Sequence, residues 1–406
     1  MKSEKFFHSS TAVITLFAAC FVVLISLGVR QTFGLFFIDF NESLNISNTA
    51  FGFAIGTQML MWGLTGPIFG AIADRFGGHV AIISSFLFYT LGVYFLYSGP
   101  NTGIFFQIHL GLLIGIGLGG TAISIPMSIV GKHFPLSTRT IAMSIVTAVG
   151  SFGYFISPIF TNYSLIEYGW NYTLFLFSLF LITGLIAAFF VRSPKENEII
   201  ENRSDQSFQE ALSEAFKSKS YILLVSGFFV CGFHITLVGT HVPKYVIDRG
   251  LEDWTAAAIL SLIGLFNIFG SLLSGYLSTK ISKKILLSAI YLLRGFSIVF
   301  FIFTPPSVLS AFIFGASFGF LWLSTVPATS GIVAHLFGTK YLGLLYGIVF
   351  LSHQIGSFFG AYLGGLFHDL YGSYDYAWYL AILLSIFAAI IHLPIIEKPV
   401  ERLQKI

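Results

Sequence analysis

Two arginines of this chain lie inside apolar runs. Arg30 sits near the end of the run Thr11 to Phe37 and Arg294 in the middle of the run Ile285 to Thr304, and no acidic side chain lies inside any comparable run. A charge at bilayer depth is costly and is retained where it does something, so two cations without a counter-anion point to an anion supplied from outside. Histidines share that depth. His234 and His241 are seven residues apart, with Tyr245 four further on, so the three lie on one face of a helix, and His353 sits in another apolar run. A protonated imidazole binds an anion and a neutral one releases it within the physiological range, which makes His353 and His234 the preferred proton carriers if protons take part. The alternative for each is a histidine bonded to a neighbouring carbonyl. Gln58, Asn267, Trp322 and Gln354 offer neutral hydrogen bonds and an aromatic wall, or else glue helices together. Cys20 and Cys231 read as small core residues. No HExxH, GxSxG or paired carboxylates fall in the apolar runs, so neither an enzyme nor a metal or cofactor site is expected.

The elements that must position these residues follow from composition. With 55% hydrophobic residues, 10% charged residues and a mean hydropathy of +0.85, a soluble domain of 406 residues is excluded. Some 20 apolar residues cross a bilayer. That ruler predicts an all-α membrane protein with twelve transmembrane helices, near 12–38, 50–73, 80–98, 103–130, 140–162, 172–191, 220–246, 254–278, 285–303, 307–333, 341–367 and 375–396. The first run is too long for a signal-peptide core and is read as a span. Of the 21 Lys and Arg residues, 17 fall on the side of the termini, so the positive-inside rule places both termini in the cytoplasm. The net charge of +3 is then a consequence of topology, and nucleic-acid binding is not expected.

The stretch Ser193 to Ser220 cannot lie in the membrane and divides six spans from six, giving an N-terminal half at 1–192, a linker at 193–219 and a C-terminal half at 220–406. Apolar residues at Ala211, Leu212, Ala215 and Phe216 suit a short amphipathic helix on the cytoplasmic surface; the alternative is a solvated linker. The halves repeat. GAIADRFGG at Gly70 to Gly78 recurs as GYLSTKISK at Gly275 to Lys283, Pro126 recurs as Pro327, each shortly before an HF or HLF, and GSFG at Gly150 recurs as GSFFG at Gly356. Three matches at nearly one offset argue for duplicated halves.

Gly70, Asp74, Arg75 and Gly77 resemble the loop 2 to 3 signature of the major facilitator superfamily, GxxxDRxGR/K/K, with Gly78 and His79 departing from its last basic positions. The resemblance implies two pseudo-symmetric six-helix halves, a substrate cavity between them lined by spans 1, 2, 4, 5, 7, 8, 10 and 11, and a conformational latch at those four residues. The segment RQTFGLFF beginning at Arg30 is similar to span 1 of monocarboxylate transporters, where a Lys in a KSxxxFF context handles carboxylate and proton. Arg keeps a two-point donor for a carboxylate and gives up easy deprotonation. The alternative is an arginine snorkelling to the interface. Span 8 offers the neutral pair Asn267 and Ser271 where that branch has Asp and Arg, and span 11 offers His353 and Gln354 where oxalate and formate exchangers have Lys. Arg294 falls on span 9, which the resemblance places outside the cavity; it is either a structural arginine or a second anion clamp. Pro243 is expected to end or bend the helix behind His241.

The expectation is therefore a monomeric secondary transporter of a small organic anion, monocarboxylate-like, in a bacterial plasma membrane. Its partners would be the anion, membrane lipid and either protons or an exchanged anion. The alternative is an exporter of hydrophobic or cationic compounds, which would want an intramembrane acid that the runs lack.

Overall fold

Backbone N–H and C=O groups inside a bilayer have no water to bond, so apolar runs of this length become helices that satisfy themselves. The computed structural model describes residues 10–193, 206–338 and 340–404. Residues 194–205 of the expected linker, with Lys195 and Arg203, lie outside these, as do Lys2, Lys5 and Lys405. The described residues form helices and no strand. Ten of these helices are long and apolar enough to cross a membrane. Their outer surfaces carry large apolar side chains such as Phe17, Phe269 and Leu272 that only lipid would solvate.

The chain divides into two compact units, Met1–Ile199 and Ile200–Ile406. In the first, α1 (Ser10–Gln31) runs through a short 3-10 turn into α2 (Phe37–Leu44). Next come α3 (Asn48–Phe76), 29 residues long, and α4 (Gly78–Ser98). A fourth stretch is assembled from α5 (Ile104–Phe106), a π-helical segment Gln107–Leu113, α6 (Ile114–Thr121) and α7 (Ser124–His133). The last, α8 (Leu136–Ala188), covers 53 residues and turns at Gly169, where φ 77° and ψ 168° suit glycine and little else. That turn falls in the gap expected between 162 and 172.

The second unit opens with α9 (Phe208–Lys217), started by a capping box between Ser207 and Glu210. It continues with α10 (Lys219–Asp248), α11 (Asp253–Leu277) and α12 (Lys283–Phe303). Then come α13 (Val308–Leu321), α14 (Thr325–Phe337), α15 (Leu342–Tyr371) and α16 (Asp375–His392). Pro243 does not end α10, which continues to Asp248. The carbonyl that its ring crowds belongs to Gly239, four residues back, which has no side chain to resist a small adjustment.

The units repeat one another in packing as well as in sequence. Gly153 brings α8 onto the Leu24 carbonyl of α1, and Gly356 brings α15 onto the Phe229 carbonyl of α10; an added Cβ would meet backbone in both cases. Each unit also has one broken helix, between α6 and α7 and between α13 and α14. Pro126 and Pro327 are the third residues of α7 and α14. Within the first turn a proline's missing N–H is not needed, while its ring obstructs the helix behind it, so both prolines start a new helix rather than continue the old one.

The two HF and HLF motifs do the same work in their own units. His133 Nε2 bonds the Arg192 carbonyl at 2.6 Å, and His335 Nε2 bonds the Glu397 carbonyl at 3.2 Å. The same segments, after α8 and after α16, act as straps that also cap an earlier helix start in each unit: Gly78 N of α4 donates to Ser193 Oγ at 2.9 Å, and Lys284 N of α12 donates to Glu397 Oε1 at 2.7 Å. Of the four residues of the loop signature, Asp74 pairs with Lys132 at 2.9 Å and Arg75 lies 5.3 Å from the Phe76 ring. Gly77, at φ 96°, turns the chain between α3 and α4, and Gly70 has open space around it.

Candidate functional site

Arg30 occupies the last turn of α1 and is 8% exposed. Its Nη1 reaches the Oε1 of its neighbour Gln31 at 3.3 Å, and its Nη2 reaches the Sδ of Met59 on α3 at 3.0 Å. The Nε has no partner among the described residues, nor has the Gln31 amide nitrogen. Tyr89 of α4 and Tyr154 of α8, both buried, lie within electrostatic range of the guanidinium. A thioether is a weak acceptor and an amide oxygen at 3.3 Å a long one, so this buried cation has five N–H donors and little to give them to. A carboxylate would accept two of them in parallel.

Arg294 of α12 is fully buried and differently placed. Its Nε and Nη2 donate to the Leu321 carbonyl at 3.1 and 2.6 Å, and Nη2 donates to the Trp322 carbonyl at 2.5 Å. These are the carbonyls that the break after α13 leaves without intrahelical donors. The rest of the break is closed from α11: Asn267 Oδ1 accepts from Leu323 N at 3.0 Å, and the Ser274 hydroxyl donates to the Ser324 carbonyl. Arg294 also lies 5.4 Å from the Tyr291 ring, and its Nη1 has no partner among the described residues. Trp322 is buried, with its ring edge-on to Phe318.

Most other candidates are bonded to backbone. His234 Nε2 bonds the Ala381 carbonyl at 2.8 Å and His241 Nε2 the Ala361 carbonyl at 2.7 Å, so in each ring Nε2 carries the hydrogen and Nδ1, which has no partner among the described residues, is the free acceptor. The Tyr245 hydroxyl accepts from Arg249 at 3.1 Å, while its ring packs edge-on to Trp378. Gln58 Nε2 donates at 3.0 Å to the carbonyl of Leu110 in the π-helical segment, where the usual helical ladder is interrupted. His353 and Gln354 are held by side chains instead: the ring stacks on Phe350, its Nδ1 meets Gln354 Oε1 at 3.3 Å and Ser357 Oγ at 3.5 Å, the imidazole also bonds the Cys231 thiol, and Gln354 Nε2 has no partner among the described residues. No group of His, Cys, Asp and Glu able to hold a metal ion occurs among the described residues.

Sequence reasoning passed over Met59, Tyr89 and Tyr154 around Arg30. It also passed over a repeated side-chain pair: Ser26 Oγ meets Thr121 Oγ1 at 2.7 Å, and Cys231 Sγ meets Thr325 Oγ1 at 3.2 Å. The repeat offset was the available signal, since 205 carries Ser26 to Cys231 and Tyr89 to Arg294. Tyr89 donates to the Ser26 carbonyl at 3.0 Å, so the position that clamps a broken helix in one unit tethers α1 in the other.

Comparisons with known proteins bear on this architecture. A transporter of Bacillus subtilis (strain 168), "Uncharacterized MFS-type transporter YcxA", is 23% identical over 94% of this chain and 95% of its own. Monocarboxylate transporter 13 of Rattus norvegicus is 23% identical over 90% of this chain and 84% of its own. Among solved structures, the bacterial homolog of the human lysosomal transporter Spinster, inward-facing and unoccupied, superposes with a TM-score of 0.77 at 15% identity, covering 95% of this chain and 96% of that one. The sequence pattern of the Major Facilitator Superfamily matches residues 19–326. An all-helical, multi-pass membrane protein built from two units with matching broken helices, and matched by that pattern over most of its length, is a transporter and not an enzyme: the chain belongs to the Major Facilitator Superfamily.

Proposed function

We propose that this transporter carries a small organic anion of the monocarboxylate class as a secondary active carrier working by alternating access. Arg30 carries the reading: a buried guanidinium that, among the described residues, bonds only a thioether and the amide beside it invites an acceptor from outside the protein. Its setting in RQTFGLFF and the absence of any acid in the apolar runs support the same choice of charge. The topology that goes with it is twelve spans with both termini cytoplasmic, counting α3 and the two arms of α8 as separate crossings. The site residues proposed are Arg30 with Gln31 and, in its own unit, His353 with Gln354; Arg30 Nε, Gln31 Nε2 and Gln354 Nε2 have no partner among the described residues. His353 is the proton carrier if a proton drives transport, His234 being bonded to the Ala381 carbonyl, and exchange against a second anion is the other driver. A monomer in a bacterial plasma membrane completes the proposal.

Purified protein in liposomes, offered labelled lactate, pyruvate, formate, oxalate and acetate with and without a pH gradient, tests this directly. Saturable uptake of at least one anion is expected, accelerated by the gradient if protons are coupled and by internal anion if exchange operates. Uptake of a hydrophobic cation with none of these anions carried or bound would replace the reading with an exporter.

A further inference from the structure

The linker helix α9 has an apolar side wider than the protein covers. By helical spacing Ala211, Ala215, Phe208, Leu212 and Phe216 share one side of it. Ala211 and Ala215 are buried at 2% and 0% exposure, whereas Phe208 and Phe216, at the flank of the same side, are each 53% exposed. A helix in water alone would not place two phenylalanines there.

What covers them follows from where the helix is held. Only Ser218 separates α9 from α10, which is long and apolar enough to cross the membrane and shows lipid-facing residues such as Ile222 from its first turn. The Phe216 ring packs edge-on to Tyr221 in that turn, 5.9 Å away, so α9 cannot swing far from the level at which α10 enters the bilayer. The N-terminal end is tethered as well, since the Gln206 carbonyl accepts from Lys340 Nζ and the Tyr341 hydroxyl, both at 2.8 Å. The acids of the helix are engaged at home: Glu210 accepts from Ser207 N in the capping box, and Glu214 accepts from Gln206 and pairs with Arg402. The exposed charges where α9 meets α10 are Lys217, the last residue of α9, and Lys219, the first of α10.

We propose that α9 is a membrane-surface anchor: Phe208, Leu212 and Phe216 enter the lipid interface beside the entry of α10, and Lys217 and Lys219 meet anionic lipid headgroups there. An interfacial helix buries its apolar side at the boundary of headgroups and acyl chains, with basic residues favouring negatively charged lipid.

Spin labels on the full chain in vesicles read this. The background is Cys20→Ser with Cys231→Ser, the latter supplying the hydroxyl that Ser26 supplies at the matching position of the first unit. Labels are then placed singly by Phe208→Cys, Leu212→Cys, Phe216→Cys, Glu210→Cys and Ser213→Cys. In phosphatidylcholine vesicles containing phosphatidylglycerol, the first three are expected to collide more with oxygen than with a water-soluble nickel chelate, and the last two to reverse that order. Nickel-dominated collisions at all five would overturn the proposal, as would spin–spin broadening at Phe216→Cys that vanishes on dilution in lipid, which would assign the face to a second copy. Omitting phosphatidylglycerol, or combining Lys217→Gln with Lys219→Gln, is expected to shift Phe216→Cys toward water; an unchanged depth in both would remove the headgroup contact.

Discussion

Arg30 and Arg294 are both buried arginines on apolar helices, yet their hydrogen-bond surroundings differ. Arg294 directs three hydrogen bonds at carbonyls that a broken helix leaves free, and with Asn267 and Ser274 it closes that break. Arg30 meets a methionine sulfur and the amide next to it, with its Nε unpartnered among the described residues. A cation that the backbone satisfies is architecture. One that the protein leaves short of acceptors destabilises the protein until something else supplies them.

The sharpest way to break this contrast is to remove each charge while keeping a long side chain. Arg294→Met leaves the Leu321 and Trp322 carbonyls without donors in an apolar interior, and a loss of about 2–6 kcal/mol is expected at roughly 1–3 kcal/mol per stranded group. It would be read as earlier thermal unfolding in detergent. Arg30→Met removes a charge that little in the protein satisfies, so thermal stability is expected to stay within about 1 kcal/mol of the parent or to rise. Equal destabilisation by both would mean that Arg30 is structural too.

A smaller effect separates the straps that cap α4 and α12. Burial alone would raise the Glu397 carboxyl, but bonds from Lys284 N and Ser282 outweigh it and hold the group below its ordinary value of 4.5. A carboxylate whose folded-state value is depressed contributes stability that is present above that ordinary value and is lost as pH falls through the depressed one. Ser193, in the corresponding place, does not titrate. Glu397→Gln is therefore expected to cost about 1 kcal/mol at pH 7 and to cost less as pH drops below 4.5, whereas Ser193→Ala should show no such dependence. Thermal melts from pH 3.5 to 7 would read the difference.

Much of this molecule was legible before any coordinates. Hydropathy located the helices, the repeat offset paired the units, and a glycine in the expected gap turned out to carry the bend in α8. The amphipathic pattern after Ser207 is the helix α9. What the pattern did not disclose is which polar side chains are already spoken for. Asn267 is 56 residues from the amide it binds and Gln58 is 52 from its carbonyl, and both partners exist only because a helix is broken or widened there. Hydropathy averages over such interruptions, so the alternatives for Gln58, Asn267, Arg294 and His234, site residue or structural bond, stayed open until the partners were seen. Carrying the 205-residue offset down to single side chains would have joined Ser26 to Cys231 and shown Tyr89 in the place of Arg294.

The central claim is that Arg30 binds the transported anion, and the most direct measurement is saturable uptake of the best anion by Arg30→Gln protein in liposomes, after its thermal stability is shown to match the parent. Losing a charge-assisted bond worth about 1.5–3 kcal/mol predicts an apparent affinity weaker by roughly ten- to a hundredfold. Unchanged apparent affinity and rate in that variant would contradict the account.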